Sequence, residues 1–149
     1  MSTTETTVPN RTGGAADCLQ SIVAYHGDID RGRATRGIRY FADDARFQAR
    51  GRDLAGRDAI LGFLTDREAK TARRTLHVIT NPVTTFDSDD DLSIAAVIVL
   101  YAMDDSDAYV IENVLDTVHR FTRSAAGWLI VDRTSRRLHP AAPTSRVSA

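Results

Sequence analysis

Residues 75–86, TLHVITNPVTTF, open the stretch that decides the fold. From here the pattern is that of long strands, continued by 92–103 (LSIAAVIVLYAM), 109–123 (YVIENVLDTVHRFTR) and 127–138 (GWLIVDRTSRRL). Asp87–Asp91, Asp104–Asp107 and Ser124–Gly127 separate the four segments and read as turns. The two acidic runs lack the glycine and the terminal glutamate of a calcium loop, so they are expected to be solvated hairpins. Long strands joined this way form an antiparallel sheet, and strands of such length twist and curl.

Upstream of Arg73 the periodicity is helical. Leu19, Ile22, Val23, His26, Ile29 and Asp30 share a stripe about 100° wide, which predicts an amphipathic helix ending near Gly32. Arg33–Asp43 reads as a shorter second helix carrying Ile38 and Phe41. Gly56-Arg57-Asp58 opens a third, with Ile60, Leu61, Phe63 and Leu64 on its buried side. Three N-terminal helices packed on a curved antiparallel sheet make an α+β fold, and a curled sheet closed off by helices leaves a conical cavity. Residues 1–14 and 139–149 hold too little apolar area to order themselves and are expected to be tails around one domain, 15–138.

Charge and composition narrow the partners. With 19 Lys+Arg against 20 Asp+Glu, the net charge of −1 gives no field for nucleic acid or an anionic membrane. The longest apolar run, Ile94–Met103, is ten residues, about half of a bilayer span, and the first residues lack the apolar core of a signal peptide. A soluble, cytoplasmic protein is expected. A single cysteine, Cys18, forms no internal disulfide, and no Cys/His spacing suggests a zinc site, so no metal is expected. Gly51–Gly56 lacks the Lys-Ser/Thr of a phosphate loop, and no Gly-x-Ser-x-Gly occurs.

Asp30 is the anomaly of the first helix, a carboxylate in the middle of an apolar stripe. Asp28 points about 160° away from it and reads as surface. On the first long strand, His77 shares a face with Ile79, Asn81 and Val83 under period two, and both faces are apolar enough to suggest burial. An inward carboxylate bonded to one imidazole nitrogen fixes the tautomer and leaves the other as a base. The competing arrangement pairs Asp30 with His26, four residues back on the same helix, in a purely structural bridge. His119 shares a face with Thr117 and Phe121 and is a second candidate cavity histidine.

Taken in order, Tyr25-x4-Asp30, Phe41-Ala-Asp-Asp-Ala45, Gly56-Arg-Asp-Ala-Ile60, Arg74-Thr-Leu-His77 with Thr80-Asn81-Pro82, and Gly127-Trp128-x4-Arg133 resemble the SnoaL-like proteins of the nuclear transport factor 2-like superfamily. The resemblance runs from about Cys18 to Leu138. It implies a cone-shaped α+β fold with a deep apolar pocket, no cofactor, and a homodimer packed through the outer sheet face. In the dehydratase-like branch an acid/base dyad falls on Asp30 and His77, with Tyr25 and Arg133 beside it; His119 and Asn81 are expected to join them in binding substrate. His119 stands where many relatives carry a carboxylate, and Arg33 where a second Asp is usual.

The reading that follows is a cofactor-independent lyase, isomerase or cyclase acting on a hydrophobic polycyclic or aromatic molecule. The alternatives are a non-catalytic ligand-binding module or a structural subunit like the β-subunit of a ring-hydroxylating dioxygenase, and an epoxide hydrolase-like site using Asp30, Arg133 and Asp116. On the strand period Asp116 lies opposite His119, which counts against the last.

Overall fold

The computed structural model describes residues 10–139. The four long strands follow the helices as expected, but two short strands that periodicity did not reveal come before the last helix. Helix α1 spans Arg11–Asp30, a 3₁₀ segment covers Ala34–Tyr40, strands β1 (Phe41–Ala49) and β2 (Arg52–Ala55) follow, and α2 spans Arg57–Ala69. The long strands are β3 (Thr75–Phe86), β4 (Asp91–Met103), β5 (Tyr109–Ser124) and β6 (Gly127–Arg137). They form one six-stranded sheet in the order β2-β1-β6-β5-β4-β3. Every pairing is antiparallel except that of β1 with β6.

The stretch expected to be a second helix over Arg33–Asp43 is therefore a 3₁₀ segment running straight into β1. Phe41, assigned to that helix, is the first residue of the strand, and its ring enters the core. Residues 11–14, expected to belong to a tail, are the first turn of α1. The Asn10 side chain accepts the Gly13 N–H at 2.8 Å and caps the helix, and Gly14 lies against the Trp128 indole, where a Cβ would come within 3.0 Å. Residues 1–9 and 140–149, the remainder of the expected tails, lie outside the described residues.

Bulges bend the sheet. Between Thr80 and Val83, β3 carries one more residue than β4 opposite it, with Asn81 at φ 52°. An extra residue reverses which side chains face the core. Val83, placed by simple alternation on the His77 face, is 62% exposed. A second extra residue, Glu112, lies in β5 opposite the step from Leu100 to Tyr101.

The concave face meets α1 and α2 in a core that includes Ile22, Phe47, Ile60, Leu64, Ile94 and Phe121. Burial of each such side chain stabilises the fold by about 1.5–3 kcal/mol. The convex face is open: Leu76 and Val78 are 42% and 40% exposed, so β3 is not buried on both sides as its composition suggests. Val23, placed in the α1 stripe, is also exposed, whereas Asp28, expected at the surface, is buried and ion-paired to Arg33 at 2.7 Å. The next segment folds back over α1 and covers that carboxylate. No helix among the described residues is long and apolar enough to cross a membrane.

Candidate active site

A cavity of about 490 Å³ opens between the concave sheet face and the two helices. That is ample for a small organic ligand. Its wall includes Tyr25, His26 and Ile29 from α1, Phe63 from α2, Thr75 and His77 from β3, Leu100 and Leu115 from β4 and β5, and Arg133 from β6.

Asp30, the last residue of α1, reaches the start of β3. Its Oδ1 accepts from His77 Nδ1 at 2.6 Å and from the Thr75 hydroxyl at 2.9 Å, and its Oδ2 accepts the His77 backbone N–H at 2.8 Å. Burial raises the Asp30 pKa, but the bonds from His77 and Thr75 outweigh it and hold the carboxyl below its ordinary value. An ionised carboxylate only accepts, so the proton between the two side chains belongs to His77 Nδ1. In the neutral ring the lone pair is therefore on Nε2, and the ring lines the cavity.

Thr75 continues the chain of bonds. Its hydroxyl accepts from Arg67 Nη2 at 3.0 Å, and the same nitrogen donates to the Arg73 carbonyl at 3.2 Å. Asp30, Thr75 and Arg67 thus form one line behind the imidazole, anchored in α2 and the loop before β3.

A model of the SnoaL-like domain matches residues 15–134. The chain belongs to the SnoaL-like family. Among solved structures, this SnoaL-like domain is similar to an NTF2-like protein with a cystatin-like fold from Novosphingobium aromaticivorans, with a TM-score of 0.78 at 21% identity over 88% of this chain and 86% of that one. It is similar also to a protein from Catenulispora acidiphila in complex with S-DNPA, with a TM-score of 0.73 at 18% identity over 85% and 95% of the two chains. Aln2 from a Streptomyces species superposes with a TM-score of 0.74 at 14% identity over 87% and 93%. Curated proteins offer no match. At these identities the likeness establishes the fold, an NTF2-like cone.

Within this SnoaL-like cone Tyr25, His77 and Arg133 line the cavity with Asp30 bonded behind His77, whereas His119 and Asn81, expected to bind substrate, do not line it. His26 does not bridge to Asp30: its Nδ1 donates to the Ile22 carbonyl at 2.8 Å. Its ring centre lies 4.9 Å from that of His77, tilted against it, and 5.9 Å from that of His119, edge to face. Burial, and then the neighbouring His77, Arg133 and His119, hold His26 well below the usual histidine range; burial and Arg133 do the same to His119. His119 is fully buried behind His26, with neither ring nitrogen bonded among the described residues.

Arg133 is opposite His119 in the β5–β6 register and packs its guanidinium 4.5 Å from the Phe47 ring centre. Its Nε and Nη1 have no hydrogen-bond partner among the described residues. Tyr25 is wedged between His26 and Phe41, at 4.6 and 5.4 Å between ring centres, and burial raises its pKa, so the phenol stays protonated.

Asn81 is outside the cavity altogether. It is exposed, on the bulge of β3, and accepts from the neighbouring Thr80 hydroxyl at 3.2 Å; the extra residue there turns it away from the cavity. Asp116 is likewise on the convex face, bonded to Arg136 at 3.1 Å, and does not join Asp30 and Arg133. Sequence reasoning missed Thr75 and Arg67. The signal for Thr75 was its place two residues before His77, on the same strand face. The donor set behind His77 is one carboxylate and one hydroxyl, and no group of three His, Cys, Asp or Glu side chains converges for a metal among the described residues.

Proposed function

We propose that this protein is a cofactor-independent acid/base enzyme, a lyase, isomerase or cyclase, acting on a hydrophobic ring-containing molecule. The observation that carries the reading is the Asp30–His77 pair at the wall of a cavity of about 490 Å³.

In the reaction, His77 Nε2 takes a proton from carbon adjacent to a carbonyl. The C–H electron pair becomes the enolate double bond, and charge collects on the carbonyl oxygen. Arg133 and Tyr25 donate to that oxygen, with Asp30 stabilising the imidazolium. The proton on Nε2 then goes to a departing β-hydroxyl, releasing water, or to another carbon, completing isomerisation. Electrons balance without an external oxidant or reductant.

The test is deuterium exchange from D2O into carbon next to the carbonyl of ring ketones such as 2-tetralone. The protein should accelerate it, and His77→Ala should lower the acceleration by about 10²–10⁴-fold with the fold intact. Undiminished exchange in a folded His77→Ala variant would remove the dyad from the reaction.

The same reading includes a homodimer through the convex sheet face. Leu76, Val78 and Val114 lie on its neighbouring strands β3 and β5, on either side of β4, and all three are exposed. Light scattering should give twice the chain mass, and Val78→Lys should give the monomer; a monomeric parent protein would end this proposal.

A further inference from the structure

The cavity carries a charge that the overall composition conceals. In a chain with a net charge of −1, six cationic side chains line this one cavity: Arg50, Arg52, Arg67, Lys70, Arg73 and Arg133. Asp66 is the carboxylate lining it with them.

The hydrogen bonds account for half of these cations. Glu112, carried to the rim by the β5 bulge, binds Arg73 at 2.6 and 2.9 Å and Arg50 at 3.3 Å. Arg67 is held by the Arg73 carbonyl and Thr75. Asp30, the other carboxylate nearby, is committed to His77 and Thr75. Arg52, Lys70 and Arg133 have no ion-pair partner among the described residues. Arg52 opens β2 and Lys70 caps the C-terminus of α2, both exposed, with the Arg52 guanidinium 5.5 Å from the centre of the Phe63 ring. Arg133 is 6% exposed.

These three charges bear on what the cavity takes. Arg52 and Lys70 are exposed and act on a ligand as unneutralised charge at the mouth, whereas a ligand that seals off Arg133 leaves a buried cation with nothing to replace its water, which is costly. A ligand that brings its own negative charge offsets that cost. An excess of positive charge around a low-dielectric cleft, here six cations against Asp66 and Glu112, also draws in anions against the weak repulsion of the whole molecule.

We propose that the substrate is an organic anion: an apolar ring system bearing a carboxylate, which meets Arg52 and Lys70 at the mouth while the rings fill the space beside Phe63, Leu100 and Leu115. This rests on the cavity being the substrate site and adds the substrate's charge. Arg133, deeper in, remains for the charge that develops on the reacting oxygen.

The experiment is titration calorimetry with a matched pair of probes, 2-naphthoate and 2-naphthamide. The acid should bind at least about tenfold more tightly at about 20 mM salt and lose most of that advantage by about 500 mM, as screening shortens the reach of the rim charges. Arg52→Gln with Lys70→Gln should abolish the preference and leave the amide's affinity unchanged. His77→Gln should keep the preference, so failure of the dyad and failure of the anion site are read separately. Equal affinity for the two probes, a preference that survives in the double variant, or binding of neither probe at millimolar concentration would overturn the proposal.

Discussion

Thr75 donates its hydroxyl to the same Asp30 oxygen that receives the His77 ring proton. That oxygen is therefore fixed from two directions. The Arg67 guanidinium, bonded to the hydroxyl from behind, makes Thr75 a donor to Asp30 rather than to solvent. Thr75→Val keeps the shape of the side chain and removes the bond. Turnover should fall by about tenfold while substrate affinity holds, because the change reaches the reacting atoms only through Asp30. Thr75→Ser should restore most of the rate. A Thr75→Val variant with full turnover would reduce Thr75 to packing.

Asp30→Asn removes the charge that stabilises imidazolium but keeps a carbonyl oxygen able to accept the His77 backbone N–H. The fold should survive and kcat should drop by about 10²-fold or more, with a smaller change in KM. Single-turnover kinetics separates the two parameters. Equal losses in both would point to misplacement of the strand.

Acid stability follows from the two buried histidines. An unfolded chain protonates both as pH falls through about 6.5, whereas burial and the positive groups around them hold His26 and His119 well below that value in the fold. The unfolded state thus binds more protons, and stability rises with pH across this window. Below about pH 6.5 each ring costs up to about 1.4 kcal/mol per pH unit until its folded pKa is reached. Asp30 acts lower down: its folded pKa is depressed, so its contribution is present above about 3.8 and is lost as pH falls through the folded value. Urea denaturation between pH 7.5 and 4.5 should show the slope, and His119→Phe should make it shallower. A free energy flat between pH 6.5 and 5 would contradict this account.

Gly37 leaves no room beneath Tyr25. A Cβ there would fall 2.6 Å from Tyr25 Cδ2, and the ring cannot withdraw because His26 and Phe41 pack against it. Gly37→Ala should destabilise the protein by about 1–3 kcal/mol, read as a lower midpoint in denaturant. An unchanged midpoint would mean that the 3₁₀ segment shifts freely over α1.

The helical stripe that placed Asp30 inward, and the alternation that placed His77, are short-range patterns, and both persist in the structure. What periodicity did not carry was non-local. β1 holds Asp43-Asp44 in its middle, and it is a strand because β6 and β2 flank it, a pairing that leaves no mark on its own composition. Asn81 was assigned to the cavity by alternation, and one extra residue in β3 reversed the assignment. Thr75, despite its place on the His77 face, and Arg67 were missed for a related reason: each matters through a partner on another element.

The parallel pairing of β1 with β6 also sets an order of assembly. β3, β4 and β5 can zip together as successive hairpins while the chain is still being made. β1, complete far earlier, has one side empty until the final strand of the domain emerges and slots between it and β5. Contacts of such long sequence separation close late and slowly. The N-terminal third therefore waits with Phe41 and Phe47 uncovered, and this interval is when the nascent protein is most exposed to aggregation and to proteases.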